Sequence, residues 1–434
     1  MMELVDSKIE WIGEIPSDWS VYSLSQVVDQ VKNKNKDLEE KNLLSLSYGK
    51  IKRKDIESSD GLLPASFDNY NIIEEGDIVL RLTDLQNDHT SLRVGRAIER
   101  GIITSAYCTI RPTEKEYSRF LYYLLHAYDI KKGFYGMGSG VRQGLNFSEV
   151  KQLRIAMPGK EVIESMVSFL DEKCKLIDEM VAENSECIKE LKKYKNARIT
   201  EVITRGLQKD VSFKKTKYEW LCDIPYTWDM IPLKRMYDSS NGVAVKVGPF
   251  GSALSGTDFV EEGVWVYNQR SVLDDNFVSN DTFVSEKKAD ELQGFEVSEG
   301  DLLITTRGSI GRVAIVPQGA PKGVIHPCII RFRIDEKFIS KKLLKLICNE
   351  CDFIQKQVLR LSNSTTIEVL YSYTLKELIV PLIPHDEMVQ IESYLEEFVT
   401  AINSMIELRE KTIKELSEYK NSLIYEIITG KKEV

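Results

Sequence analysis

Glu10-Trp11-Ile12-Gly13-Glu14-Ile15-Pro16-Ser17-Asp18-Trp19 returns later in the chain as Glu219-Trp220-Leu221-Cys222-Asp223-Ile224-Pro225-Tyr226-Thr227-Trp228. Gly76-Asp77-Ile78-Val79 is likewise matched by Gly300-Asp301-Leu302-Leu303, and Gly95-Arg96 by Gly311-Arg312. Leu191, Tyr194, Glu201, Val202 and Thr204 find counterparts in Leu416, Tyr419, Glu426, Ile427 and Thr429. The offset drifts between about 209 and 225 residues, far beyond the roughly 20–50 residues of a solenoid repeat. Two copies of one unit, separated by insertions and deletions, imply an internal pseudo-dimer with two similar sites facing one extended partner.

Each copy has two parts. The first mixes short apolar runs with Gly, Asn, Asp and Ser; Ile78-Val79-Leu80, residues 106–110, Leu302-Leu303-Ile304 and residues 324–330 read as strands. Amphipathic segments follow at 117–128 and 341–359. The second part is a long helix. Leu170, Ile177, Asn184, Leu191 and Arg198 recur at heptad spacing, with Met180, Cys187 and Tyr194 in the other seam position. Leu395, Phe398, Ile402, Met405, Leu416, Tyr419 and Leu423 repeat the pattern, with Arg409 where the first copy has Asn184. Pro158 and Pro384 precede the helices, and Gly206 and Gly430 stop them.

The expected fold class is α+β: two pseudo-repeated mixed α/β domains, at 1–160 and 209–385, each followed by a long helix, at 161–208 and 386–434. Each helix has one apolar seam and would run roughly 65 Å. Pairing within the chain, as an antiparallel coiled coil with the globular domains at opposite ends, satisfies both seams. Packing of each helix on its own domain, or on another chain, is the competing arrangement.

Bulk properties set limits. A chain of 434 residues, 42% apolar and 29% charged, reads as a globular protein of two or more domains. It has no apolar run of membrane-spanning length, and its seven scattered cysteines suit a reducing cytoplasm. The net charge of −9 weighs against a nucleic-acid partner. Residues 81–160 are locally basic, however, with Arg93, Arg96, Arg100, Arg111, Arg119, Lys131, Lys132, Arg142, Lys151 and Arg154.

Catalytic signatures are missing. The sequence holds no phosphate-binding loop, no H-E-x-x-H, no G-x-S-x-G and no [ND]-P-P-[YF] methyltransferase tetrapeptide. Its four histidines form no evident triad or ligand set. Cys348 and Cys351 have C-x-x-C spacing without a second pair, which reads as two half-buried helix residues rather than a metal site. Glu149-Val150-Lys151, with Asp129 upstream, has a nuclease-like E-x-K spacing that a lysine-rich chain produces by chance. No catalytic residue, no metal site and no cofactor of its own is expected, and the chain reads as a non-enzyme.

Two variable globular domains, each followed by a similar long helix, resemble the specificity subunits of type I restriction–modification systems. The resemblance covers essentially the whole chain. It rests on the W-I-G-x-I-P-x-x-W opening and its echo, the two G-D-[IL]-[VL] strands, Gly248-Pro249-Phe250-Gly251-Ser252, and the similar helix endings at 199–204 and 423–429. It implies that each globular domain is a target recognition domain reading one half of a split, asymmetric site in double-stranded DNA. It also implies a helical spacer that docks two methyltransferase subunits, which hold S-adenosylmethionine, and motor–nuclease subunits in the full complex. The competing class is a non-enzymatic scaffold that organises partner proteins through its helices. Lys50–Tyr70 has no clear counterpart in Gly248–Val260, so the half-sites should be unlike.

Base edges are read by side chains that offer paired donors and acceptors. In the first domain the candidates are Arg81, Thr83, Asp84, Gln86 and Asn87 directly after the Gly-Asp strand, then Arg142, Gln143 and Asn146 after the Gly136–Gly140 loop. A solvated turn competes for the first group, and helix capping competes for Asn146 and Ser148. In the second domain they are Ser252, Asn268, Arg270, Thr306, Arg307, Ser309, Asn363, Ser364 and Thr365. The paired tryptophans read as a structural clasp at each domain entrance rather than as base-stacking residues.

Overall fold

The computed structural model describes residues 3–55, 66–85, 88, 90–137, 144–208, 210–218, 220–221, 223–240, 242–361 and 369–434. The chain divides into two compact units, one of residues 1–185 with 410–434 and the other of 186–409.

A four-stranded antiparallel sheet occurs in each unit, in the same order. In the first the strands run Val28–Gln30, Cys108–Pro112, Ile78–Leu80, Val94–Arg96; in the second they run Val245–Val247, Ile329–Phe332, Leu302–Thr305, Val313–Ile315. Both central strands are buried at every residue, as apolar runs covered on two faces should be. The register aligns Val94 with Val313, because Val94 pairs with Leu80 while Val313 pairs with Ile304. Arg93 thus corresponds to Arg312, and the apparent match of Gly95-Arg96 to Gly311-Arg312 is a three-residue slip. Short Gly-Arg dipeptides align by composition, whereas the ladder aligns them by backbone hydrogen bonds.

The Gly-Asp turns share one lock. Asp77 is buried, accepts the Glu74 amide, and receives both Nε and Nη2 of Arg111 at 2.7 Å. Asp301 is buried, accepts the Ser298 amide at 2.8 Å, and receives Nε and Nη2 of Arg333 at 2.5 and 3.2 Å. The arginine lies just past the adjacent strand in one copy and within it in the other, so each carboxylate ties a turn to its sheet.

Outside the sheets the copies diverge. The first unit adds the hairpin Leu44–Ser47/Lys50–Arg53 and the pair Asn71–Ile73/Gly101–Ile103. The second adds a separate four-stranded sheet, in which Val264–Tyr267 runs parallel to Gly323–Ile325.

The long helices span Lys160–Arg205 and His385–Ile428. In the first unit Ile163, Val167, Leu170, Cys174 and Ile177 share a core with Leu423, Ile424, Ile427 and Ile428. In the second, Ile199, Val202 and Ile203 share one with Met388, Ile391 and Leu395. The start of each helix therefore packs with the end of the other, and the pair is antiparallel. The seam differs from the expected one. Ile177, Asn184 and Ile188 are buried, whereas Met180 and Tyr194 are 47% and 55% exposed. On the second helix Ile402 and Ile406 are buried and Met405 is exposed. The second seam row is Val167, Cys174, Val181 and Ile188, which flanks the first row on the opposite side from Met180. Lys173 interrupts the rejected row and Lys195 the second seam row, so charge alone did not separate them.

Lys420 and Lys195 continue this row at matching places. Lys420 donates to Asp178 at 2.6 Å. At the position of Asp178 the other copy has Asn403, and Lys195 reaches both Asn403 and the carboxylate of Glu350 at 3.5 Å.

Each helix end is gripped by an Ile-Pro-x-x-Trp segment. Gly206 and Gly430, at φ +76° and +72°, end the helices in the left-handed region. Trp228 is fully buried against Gly206 and donates Nε1 to Glu387 at 3.0 Å. Trp19 and Pro16 close on Gly430, and the Tyr425 hydroxyl donates to the Trp11 carbonyl at 3.0 Å. Trp19 and Trp228 are core, and Trp11 and Trp220 pack half-buried against the same two cores.

Candidate nucleic-acid interface

The central strand of each sheet runs out into a polar loop, and the backbone there is duplicated. In the first unit the Leu145 amide donates to the Leu82 carbonyl at 2.9 Å; in the second the Leu370 amide donates to the Thr306 carbonyl at 2.9 Å. Arg81 N–H reaches the Arg93 carbonyl, and Thr305 N–H reaches the Arg312 carbonyl. Thr83 thus occupies the place of Arg307, Asn146 that of Tyr371, and Ser148 that of Tyr373. All six are exposed. One backbone crossing, built twice, carries different surface chemistry in each copy.

In the first unit the loop is held from beneath. Arg93, fully buried, donates Nη1 to the carbonyls of Arg81 and Thr83 at 3.1 and 2.8 Å. Its Nη2 reaches those of Asp84 and Asp88, and its Nε reaches the Tyr135 hydroxyl at 3.0 Å. Asp84 adopts φ +58°, a left-handed conformation that Asp tolerates better than most residues. Arg81 pairs with Asp88 at 3.4 Å. The Ser91 hydroxyl and amide hold the Asp88 carboxyl well below the usual carboxylate range. Asn146 caps the helix Phe147–Val150, accepting the Ser148 amide at 2.8 Å while Glu149 accepts the Asn146 amide. Glu149 is thus engaged in a capping box and Asp129 is buried beneath Arg93, whose amide it accepts. Burial raises the Asp129 carboxyl.

Much of the basic stretch is paired or internal after folding, while Lys131, Lys132 and Arg154 stay exposed. Arg93 is internal, Arg100 pairs with Glu40 and Glu74, Arg111 with Asp77, Arg119 with Asp171 and Lys160 with Glu114. The acids come from distant segments, so a local charge count could not reveal the pairing.

In the second unit a short loop replaces the long one. The Thr305 hydroxyl donates to the Ser309 carbonyl, Gly308 sits at φ +64°, and Gln269 Nε2 donates to the Arg307 carbonyl at 2.9 Å. Arg307 and Ser309 are exposed, and the Arg307 guanidinium meets no carboxylate among the described residues. Thr306 is buried, so its side chain is withdrawn from the surface. Asn268 caps the helix Gln269–Leu273 and donates to Asp281 and Thr282. Arg270 pairs with Asp281 at 3.0 Å. Both line a polar hollow of about 160 Å³ with Asn276, Ser279 and Asn280. Ser252 lies in the turn Gly251–Ala253. Gln86, Asn87, Arg142, Gln143, Asn363, Ser364 and Thr365 lie outside the described residues.

Among the described residues no group of three or more His, Cys, Asp or Glu side chains is placed to hold a metal, and no helix is long and apolar enough to cross a membrane. Cys348 and Cys351 are deeply buried, which pushes both thiols up to about 12.

Sequence reasoning missed Arg93 as the loop's anchor, Gln269 as its counterpart, and the exposed tyrosines 371 and 373. The tyrosines were legible as the second-copy equivalents of Asn146 and Ser148 once the shared leucine, Leu145 or Leu370, was aligned.

Residues 251–418 match the family described as type I restriction modification DNA specificity domain. Over 97% of its length the chain is 21% identical to the type I restriction enzyme MjaVIII specificity subunit of Methanocaldococcus jannaschii, covering 94% of that protein. It is 22% identical over 98% of its length to the putative type I restriction enzyme MjaX specificity subunit of the same organism, covering 96% of it. A solved structure described as the structural basis underlying complex assembly and conformational transition of the type I R-M system shares the fold. It aligns at TM-score 0.67 and 15% identity, covering 95% of this chain and 98% of that one.

Proposed function

We propose that this chain, whose residues 251–418 match the type I restriction modification DNA specificity domain and whose whole length is similar to type I specificity subunits, is such a subunit and reads a bipartite, asymmetric site in double-stranded DNA with one half-site per globular domain. The observation that carries this reading is the twice-built crossing at Leu82/Leu145 and Thr306/Leu370, with Thr83, Asn146 and Ser148 on one copy and Arg307, Tyr371 and Tyr373 on the other. A shared scaffold with unlike surface chemistry fits two unlike half-sites. Arg307, projecting from a rigid loop without a carboxylate partner, suits the O6 and N7 acceptors of guanine. Thr83 and Asn146 suit other base edges or phosphates, and Asp84 suits the amine of cytosine.

In this reading the chain performs no chemistry. Two methyltransferase subunits dock on the paired helices and hold S-adenosylmethionine, and motor–nuclease subunits join the full complex in the cytoplasm. Exposed Leu176, Met180, Met405 and Leu408 on the helices support a partner-covered surface.

Methylome sequencing of host DNA with and without the chain tests the function. Loss of adenine methylation at one split motif is expected. An unchanged methylome, with the chain still recovered in complex with helix-bound partners, would favour a scaffold instead. Arg307→Ala should relax the motif at a single position of one half-site, by roughly 5- to 150-fold in discrimination. A motif identical to wild type would remove Arg307 from base reading.

A further inference from the structure

Tyr371 and Tyr373 stack on each other, with ring centroids 5.3 Å apart and planes within 9°. They remain 46% and 58% exposed. Their position relative to Arg307 follows from the backbone. Val369 bridges Arg307, and the Leu370 amide bonds the Thr306 carbonyl. Side chains alternate along an extended segment, and burial follows that alternation: Thr306 and Leu370 are buried, while Arg307 and Tyr371 are exposed and Val369 is half-buried. Arg307 and Tyr371 therefore share the outward face, and Tyr373 extends it.

Resting on the reading of this domain as a DNA-recognition domain, we infer that the Tyr371–Tyr373 pair is a neutral phosphate-contact ledge. Its hydroxyls donate to the DNA backbone beside the base edge that Arg307 reads. Duplex bases stack on one another and offer no free ring face, so an exposed tyrosine pair meets a duplex through its hydroxyls, donors of the kind that position proteins on phosphates. Each ring already spends one face on its neighbour, which leaves the hydroxyl-bearing edges to meet a partner. Hydroxyls also hold phosphates without added positive charge, which suits a chain of net charge −9. The other unit has Asn146 and Ser148 here, bonded to each other, so the ledge belongs to one half-site.

The test uses the assembled complex with its methyltransferase subunits. The probes are duplexes bearing the motif found by methylome sequencing, and duplexes substituted in either half-site. Tyr371→Phe/Tyr373→Phe keeps the rings and removes only the hydroxyls; the exposed position makes the variant safe for folding. Binding should weaken roughly tenfold, two hydrogen bonds' worth, and by the same factor on every duplex. The methylated motif should be unchanged, and so should the slope of affinity against salt, because no charge that displaces counterions has been removed. Wild-type affinity in the double variant would overturn the inference. A changed motif would also overturn it, by making the tyrosines base readers. Loss of methyltransferase subunits would overturn it too, by making the pair a protein-docking face. If the wild-type complex itself showed no preference for the motif, the recognition reading would fail first, a result separable from the others.

Discussion

Replacing Asp301 by Asn should destabilise the second unit more than Asp77→Asn destabilises the first, although the two aspartates occupy equivalent turns. The difference comes from the arginines. Asp301 is 2% exposed, Arg333 beside it is 18% exposed, and Arg331 approaches at 3.9 Å with 8% exposure. Losing the carboxylate leaves two poorly hydrated guanidinium groups without their counter-charge. Breaking a buried pair from one side typically costs about 3–5 kcal/mol; Asn still accepts the Ser298 amide, so about 3 kcal/mol is expected. Arg111, by contrast, is 48% exposed, and water replaces its lost partner, which lowers the expected cost to about 1 kcal/mol. For units of roughly 200 residues, about 3 kcal/mol corresponds to a drop in melting temperature of about 6–12 °C, and 1 kcal/mol to about 2–4 °C. Tryptophan fluorescence separates the two, with Trp11 and Trp19 reporting one unit and Trp220, Trp228 and Trp265 the other. Thermal unfolding of single-unit tryptophan variants gives both shifts. Equal shifts, or a larger one for Asp77→Asn, would refute the argument that partner exposure sets the cost. Because Asp301 anchors the strand that leads to Arg307, its loss should also blur discrimination at that half-site.

Other consequences concern burial and protonation. Burial, aided by Lys420, lowers the His126 imidazole to about 4. The neutral form is therefore the folded one, so the first unit keeps its full stability above about pH 6.5 and loses on the order of 3 kcal/mol as pH falls towards 4. Titrating the melting temperature of wild type against His126→Leu checks this, since the substitution should flatten that window. Trp228→Phe removes the bond to Glu387 and part of the core around Gly206, and should cost about 1–3 kcal/mol by denaturant unfolding. Ile188→Ala should cost about 2–4 kcal/mol and Met180→Ala less than about 0.5 kcal/mol, because only Ile188 lies in the helix seam. The reverse order would restore the seam expected from the heptads alone.

What could be read in advance follows from how far each signal extends along the chain. The duplicated Ile-Pro-x-x-Trp segments, the long proline-free helices and their glycine stops are local patterns. A helix of more than forty residues with one apolar face must find a partner whatever else the chain does. The α+β class and the antiparallel pairing were therefore legible, and so was the loop beyond each Gly-Asp strand. Heptad spacing alone left two candidate seam rows, each interrupted by one lysine, Lys173 or Lys195, so the sequence did not tell them apart. Capping of Asn146 was legible too, because its partner Glu149 lies three residues on.

Other features depended on pairings between distant residues, which no local pattern encodes. Arg93, Arg100 and Arg111 look alike as basic letters. One became the internal anchor of a loop, one a surface pair, and one the half-exposed partner of a buried aspartate, according to which carboxylates and carbonyls the fold brought to them. Arg307, chemically no different, emerged exposed and without a carboxylate partner among the described residues. The sequence by itself determined two copies, their elements and the helix pair, since propensity and apolar periodicity act over a few turns of chain. Only the tertiary structure decided which arginines are structural and which face outward, because the environment of a charge is set by neighbours tens to hundreds of residues away.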